Sequence, residues 1–254
     1  MTTGSRPISI IPLSGWPLVH EGDDIVEILF QGLKEREESL FDGDILVITQ
    51  KVISKAEGSV VDLDDVEPST RALRLAEEIG KDPKLLDIIL KESKRIVRKR
   101  RGVVITEHRR GWVCANSGVD YSNVPGDAVS LLPRDPDESA ENIRQRIKSN
   151  LGVEVAVVII DSQGRPFRKG VVGVALGQAG ISGLVSRAGE KDLHHYKLKG
   201  AESALTDQIA SAALLVMGES DEGIPAAVVR GLDYRRSNVP ATVFVRSEKE
   251  DLFR

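Results

Sequence analysis

Val153-Glu154-Val155-Ala156-Val157-Val158-Ile159-Ile160, running straight into Asp161-Ser162-Gln163-Gly164, is the stretch that decides the fold. From Val155 on it is unbroken apolar and mostly β-branched. A run of this length and composition suits a strand covered on both faces, and such a strand calls for further layers on either side of its sheet. The Asp-Ser-Gln-Gly tetrad is expected to end it in a turn. Just upstream, Ser139 to Leu151 places Ile143 and Ile147 on one helical face, with Ser139 positioned to cap the helix. Just downstream, Gly170 to Gly183 is apolar but rich in glycine. No helix pattern follows it, so a dinucleotide-binding reading is poor, and close backbone packing explains the glycines better.

The alternation continues towards both ends. Ile8 to Pro12 reads as a short strand. Asp24 to Lys34 reads as a helix, with Ile25, Ile28, Leu29 and Leu33 at helical spacing. Asp42-Gly43-Asp44 is a turn signal before a strand at Ile45 to Thr49. Ala72 to Ile79 and Leu85 to Ile96 read as helices, the second opened by Asp82-Pro83. Residues 67–101 are thus expected as a helical insert, its basic end, Lys94 to Arg101, being a solvated helix terminus. Val103 to Thr106 and Trp112 to Ala115 read as strands about a polar turn. Asn116 to Pro136, dense in Gly, Asn, Asp and Pro, reads as a long loop. Ala201 to Met217 is the strongest helix, stopped by Gly218. Ala226 to Val229 and Ala241 to Val245 read as strands. No linker or repeat divides the chain, so one domain over 1–254 is expected.

Composition removes several classes. Of 254 residues, 41% are hydrophobic, which argues against disorder. Cys114 is the single cysteine, so no disulfide framework exists, and a buried strand position is expected for it. The apolar runs are strand-sized, far short of the ~20 residues that a spanning helix needs. Met1 to Ser9 holds one arginine and no apolar run, so no signal peptide and a cytoplasmic location are expected. A net charge of −4 and 4% aromatic residues disfavour a nucleic-acid partner.

The candidate chemistry sits on turns. Lys51 and Lys55 are four residues apart after a strand and share a helical face, suiting a polyphosphate, although two surface lysines would read the same. Asp120 in the Asn116 to Gly126 loop is a hard oxygen ligand of the kind Mg²⁺ or Mn²⁺ prefers, and Asn123 can reach a phosphate, ribose or base. Asp161 and Ser162 close the buried strand at a sheet edge, where ligands of α/β proteins bind. Arg165 and Arg168 follow as an anionic-substrate pair. Glu219 after the strongest helix is a third carboxylate. Separated carboxylates, lysines and arginines on turns are the inventory for metal-assisted phosphoryl chemistry, in which the protein positions groups and neutralises charge. His20, His194 and His195 have no zinc-type partner set, and no Gly-x-Ser-x-Gly elbow occurs.

The ordered motifs go further. Ser54-Lys55-Ala56-Glu57-Gly58, Cys114-Ala115-Asn116-Ser117-Gly118-Val119-Asp120 with Ser122-Asn123-Val124, and Leu132-Pro133 with Asp135-Pro136-Asp137 resemble the F420 gamma-glutamyl ligase family. So do Asp161 with Gly164-Arg165-Pro166-Phe167-Arg168-Lys169-Gly170, Leu215-Val216-Met217-Gly218-Glu219 with Gly223-Ile224-Pro225, and Val229-Arg230-Gly231. The resemblance runs through nearly the whole chain. It implies an α/β (α+β) fold with largely antiparallel sheets, a homodimer, and a GTP-dependent ligase; some relatives carry a fused reductase domain, which is not expected in this chain. The partners so implied are GTP, L-glutamate and the terminal carboxylate of coenzyme F420-0, joined through an acyl phosphate.

The resemblance also assigns residues. Metal ligands would be Asp120, Asp161, Ser162 and Glu219, for two divalent ions (Mn²⁺ or Mg²⁺) and with a monovalent cation such as K⁺. The nucleotide would be held by Trp16, Pro17, Leu18, Val19, Gln50, Lys51, Lys55, Asn123 and the turn Met217, Gly218, Glu219, Ser220, Asp221, Glu222, Gly223, Ile224. Lys51, Lys55, Arg165 and Arg168 would act on the reacting groups. Ser162 stands where family members usually carry Thr, and Tyr196 to Gly200 and Thr206 to Ile209 depart from the family pattern. Three alternatives remain open: a same-fold amide ligase with another carboxylate acceptor, a metal-dependent nucleotide hydrolase, and a non-catalytic nucleotide-sensing dimer.

Overall fold

The computed structural model of the chain describes residues 7–253. Met1 to Arg6, part of the segment read as carrying no leader, and Arg254 lie outside them. In chain order the elements are β1 (Ser9–Leu13), α1 (Ile25–Glu35), β2 (Ile45–Thr49), α2 (Gln50–Ala56), β3 (Val60–Asp62), α3 (Thr70–Ile79), α4 (Pro83–Glu92) and β4 (Ser93–Arg100). Then follow β5 (Val103–His108), β6 (Val113–Ala115), β7 (Ala128–Ser130), α5 (Pro136–Leu151), β8 (Ala156–Arg165), β9 (Arg168–Ala179), β10 (Leu184–Ser186), β11 (Glu202–Ala204), α6 (Leu205–Met217) and β12 (Ala226–Arg230).

The main sheet has the order β1-β12-β2-β8-β9. Its pairs are antiparallel except β2 with β8, which run parallel from Ile45 opposite Ala156 to Thr49 opposite Ile160. The period-two pleat sorts the apolar runs onto two faces. Leu46, Ile48, Val157 and Ile159 pack beneath Leu29 and Leu33 of α1 and Ile143 and Ile147 of α5. Ile45, Val47, Val158 and Ile160 face Ile209, Ala213 and Met217 of α6 on the other side. The central strands are therefore covered on both faces, as their unbroken apolar sequence requires. A smaller layer, ordered β4-β5-β6, and the β3–β7 ribbon pack against α3 and α4 through Leu75, Ile79, Leu86, Ile89, Val104 and Val129. The class is α/β with largely antiparallel sheets and flanking helices.

The glycines of β9 are explained by contact. A Cβ on Gly173 would lie 2.4 Å from the Ala210 carbonyl carbon of α6, and one on Gly177 would lie 2.3 Å from the Pro136 carbonyl carbon of α5. Both helices rest on bare backbone at these positions.

The structure corrects several expectations. Asp161-Ser162-Gln163-Gly164 is not a turn: β8 continues to Arg165, held by pairing of Asp161 with Val174 and Ser162 with Gly173, and the chain reverses at Pro166 and Phe167. The second helix of the insert stops at Glu92. Ser93 to Arg100 form an edge strand paired with β5, so Lys94 to Arg101 are no helix terminus; charge on an edge strand guards it against stray pairing. The cap of α5 is Asp135, whose carboxylate accepts from Glu138 N at 3.2 Å, with Pro136 in the first turn, and Ser139 lies inside the helix. The long loop contains β7. Ala201 to Ala204 lead into and form β11, not helix, and Ala241 to Phe244 make a single 3-10 turn, not a strand. Cys114 lies buried on β6 as expected. No helix among the described residues is long and apolar enough to cross a membrane.

Candidate active site

Because β2 and β8 are parallel neighbours, their C-terminal ends open at the same edge of the sheet, the edge at which such sheets bind ligands. α2 starts directly after β2 and presents Lys51 and Lys55 on one face. β8 carries Asp161 and Ser162 past that edge. A cavity of about 360 Å³ lies here, walled by Trp16 to Val19, Lys51, Lys55, Asn123, Asp161, Ser162 and the turn Met217 to Ile224. Thr49, Val52, Ile160, Leu214 and Pro225 complete its walls.

Charge organises the cavity. The Lys51 ammonium lies 2.6 Å from Asp120 Oδ2 and also contacts Ser122 Oγ. Asp120 in turn accepts Ser122 N–H at 3.0 Å and Ser122 O–H at 2.6 Å. Burial pushes the Asp120 carboxyl up, but the bonds from Lys51 and Ser122 outweigh it and hold the group below the usual carboxylate range. Asp161 is different. Burial drives it up to about 6, Gln163 and Lys51 pull it back only partly, and the nearby Asp120 charge adds to the rise. Burial also lowers the Lys55 ammonium, helped by the charge of Lys51. Burial, helped by the charge of Asp161, pushes the Cys114 thiol up to about 12, which makes it inert.

The turn after α6 has its own logic. Gly218 ends the helix at φ +76, and a Cβ there would lie 2.1 Å from the Glu222 carboxyl carbon. Glu222 folds back to accept Ser220 N–H at 2.8 Å, and these backbone donors hold its carboxyl below the usual range. Glu219 is left on the cavity wall.

Residues 15–231 match the F420-0:gamma-glutamyl ligase family. The chain belongs to that family. Relatives named Coenzyme F420:L-glutamate ligase share 46% identity in Methanothermobacter thermautotrophicus, over 97% of this chain and 99% of the relative. The relative of the same name in Methanopyrus kandleri is 48% identical over 93% of each chain. That of Archaeoglobus fulgidus is 39% identical over 97% of this chain and 96% of its own.

Within this family member, Gln50 sits behind the cavity, buried, where its Oε1 accepts the Ser54 hydroxyl at 2.8 Å. Asp120 meets the cavity through Lys51. Arg165 and Arg168 stand apart from its walls, at the tip of the β8–β9 hairpin beside Phe167, which is 90% exposed. Sequence reasoning missed Ser122, the hydroxyl that joins Lys51 to Asp120. Its place two residues after an aspartate is an Asx-turn signal that could have found it.

The donors Asp120, Asp161, Ser162 and Glu219 are all hard oxygens, the chemistry a Mg²⁺ or Mn²⁺ ion selects. Asp161 feels the charges of both Lys51 and Asp120. As they stand, no three of the described His, Cys, Asp and Glu side chains converge on a single point. The donor types fit a divalent ion, and Asp120 is now occupied by the Lys51 ammonium at 2.6 Å.

Proposed function

We propose that this chain is a GTP-dependent ligase that joins L-glutamate to the terminal carboxylate of coenzyme F420-0 through an acyl phosphate, forming an amide at the glutamate amine, and then extends a γ-linked chain. The observation that supports this reading most is the cavity at the β2–β8 edge, whose walls bring together two lysines from one helix and the carboxylates Asp161 and Glu219. The names of relatives 39–48% identical over nearly the full chain support the substrate class.

In the first step an oxygen of the acceptor carboxylate attacks the γ-phosphorus, the bond to the β-phosphate oxygen breaks, and GDP leaves. In the second, the glutamate amine attacks the acyl carbon, inorganic phosphate leaves, and the amine gives up a proton. Lys51 and Lys55 would hold the triphosphate tail, and their fixed spacing keeps attacking and leaving oxygens in line. Divalent cations held by Asp120, Asp161, Ser162 and Glu219 would supply positive charge to the phosphates. Trp16 to Val19 and the Met217 to Ile224 turn would close on the base and ribose. Arg165 and Arg168, on the projecting hairpin, would meet the anionic acceptor from outside the nucleotide cavity.

The test is phosphate release from GTP in the presence of Mn²⁺, with coenzyme F420-0 and L-glutamate each present or omitted, and product masses recorded. Release that requires both acceptors, with one glutamate mass gained, is the expected result. Release without either acceptor would replace the ligase by a hydrolase, and nucleotide binding without turnover would point to a different carboxylate acceptor.

A further inference from the structure

Asn116, Ser117 and Gly118 follow one another with φ of +55, +54 and +74. L residues visit this left-handed region singly and seldom, and serine has no special tolerance for it. Two consecutive non-glycine residues here are backbone strain that the surroundings must hold in place.

The surroundings do so with hydroxyls. Ser117 is fully buried, and its Oγ lies 2.7 Å from Ser93 Oγ and 2.8 Å from Thr106 Oγ1. Ser93 donates its proton to the Ile89 carbonyl at 2.5 Å. Its oxygen therefore accepts from Ser117, and Ser117 accepts from Thr106, so the three hydroxyls form one directed chain from β5 through the turn to the end of α4. Lys81 adds a bond to the Asn116 side chain at 2.9 Å. At Gly118 an added Cβ would fall 2.6 Å from Leu132, so the turn is pressed against the chain beyond it.

This strained turn joins two members of the site. Before it, β6, which carries Cys114, packs against β8, the strand that carries Asp161. After it, Asp120 exchanges backbone bonds with Ser130 at 2.8 and 3.1 Å and meets Lys51. The turn therefore sets where the Asp120 carboxylate stands relative to Asp161.

We infer that Ser117, clamped by Ser93 and Thr106, is a positioning residue that aims Asp120 into the site at the cost of local backbone strain. The inference rests on the proposed role of Asp120. Thr106→Val removes the first donor of the chain without touching the turn, Thr106→Ser keeps it, and Ser117→Gly removes the hydroxyl while relieving the strain, so that variant folds. In the glutamate-ligation assay Thr106→Val and Ser117→Gly are expected to lose about tenfold or more in kcat, the scale of a slightly misplaced group. Their KM values for nucleotide and glutamate should stay within about twofold, the signature of an interaction that acts on the reacting geometry. Thr106→Ser should keep wild-type kcat. Wild-type kcat in both Thr106→Val and Ser117→Gly, whatever their melting temperatures, overturns the inference. Asp120→Asn measured alongside separates the two levels: wild-type turnover there refutes the role of Asp120 and this inference with it, whereas loss there with intact Thr106→Val and Ser117→Gly refutes the positioning alone.

Discussion

Replacing Arg230 by methionine should cost this protein much of its stability. At the end of β12 the Arg230 guanidinium grips Asp44 at two points, Nε to Oδ1 at 2.9 Å and Nη2 to Oδ2 at 2.8 Å. It also donates to Glu38 at 3.2 Å and to the Ser39 carbonyl at 2.7 Å, and lies 4.5 Å above the Phe41 ring. Asp44 is 2% exposed and, among the described residues, otherwise accepts only the Phe41 N–H at 2.9 Å. Methionine keeps the apolar stem over Phe41 but leaves a buried carboxylate with one backbone donor. Removing one partner of such a pair costs about 3–5 kcal/mol. At roughly 2–4 °C per kcal/mol for a chain of this size, the melting temperature should fall by about 6–20 °C. Urea unfolding followed by circular dichroism measures the loss directly, and an unchanged m-value would show that the denatured state is not the cause. The double variant Asp44→Asn/Arg230→Met should recover most of the loss, because the isolated charge is gone. A loss below about 1 kcal/mol for Arg230→Met would mean that the pair behaves as a solvated surface bridge, and the reasoning from its burial would fail.

Three further outcomes are expected. Gly177→Ala, whose methyl would meet Pro136 backbone at 2.3 Å, should lower stability in thermal unfolding by about 1–3 kcal/mol or more, whereas Gly164→Ala, with open space around it, should be nearly neutral. Asp87 is pushed up by burial, but bonds from Lys91 and Ser69 outweigh this and hold it below its ordinary value. A depressed carboxyl stabilises the fold above its unfolded pKa and stops doing so as pH falls through the folded one, so the gap between wild type and Asp87→Asn in urea titrations should be full at neutral pH and close below about pH 4. Lys51→Met should cut ligation kcat by about a hundredfold or more, as loss of a charge aimed at the transferring phosphoryl group does; steady-state kinetics with wild-type turnover in that variant would remove Lys51 from the mechanism.

Much of the main sheet was legible because burial on both faces leaves a compositional mark. Ile45 to Thr49 and the apolar half of β8 are unbroken runs of mostly β-branched residues, and the helix carrying Lys51 and Lys55 follows the first of them as spacing suggested. The polar half of β8 left no such mark. Asp161 to Gly164 look like a turn in one dimension, and only their ladder with Val171 to Val174 makes them strand. β4 was read as helix because Ile96 extends the spacing of Leu85 to Leu90, and no Gly or Pro announces the switch at Ser93. The cap of α5 was legible in principle: Asp135 before Pro136 is the stronger signal, and Ser139 was the wrong oxygen. At the site, Trp16 to Val19 rested on family resemblance alone, since a short apolar turn carries no chemistry of its own. The Lys51–Asp120 contact joins positions distant in sequence and leaves no local pattern.

The parallel pairing of β2 with β8 fixes the order in which the molecule can be assembled. Thr49 finds Ile160 only after roughly a hundred intervening residues have been made, and the slot between β1 and β2 is filled by β12, almost at the end of the chain. Contacts so distant in sequence make for slow folding. A ribosome-bound chain ending anywhere before Ala226 holds β1 and β2 without the strand that joins them, so a truncation there opens a gap inside the sheet and leaves unpaired apolar strands for chaperones or aggregation to find.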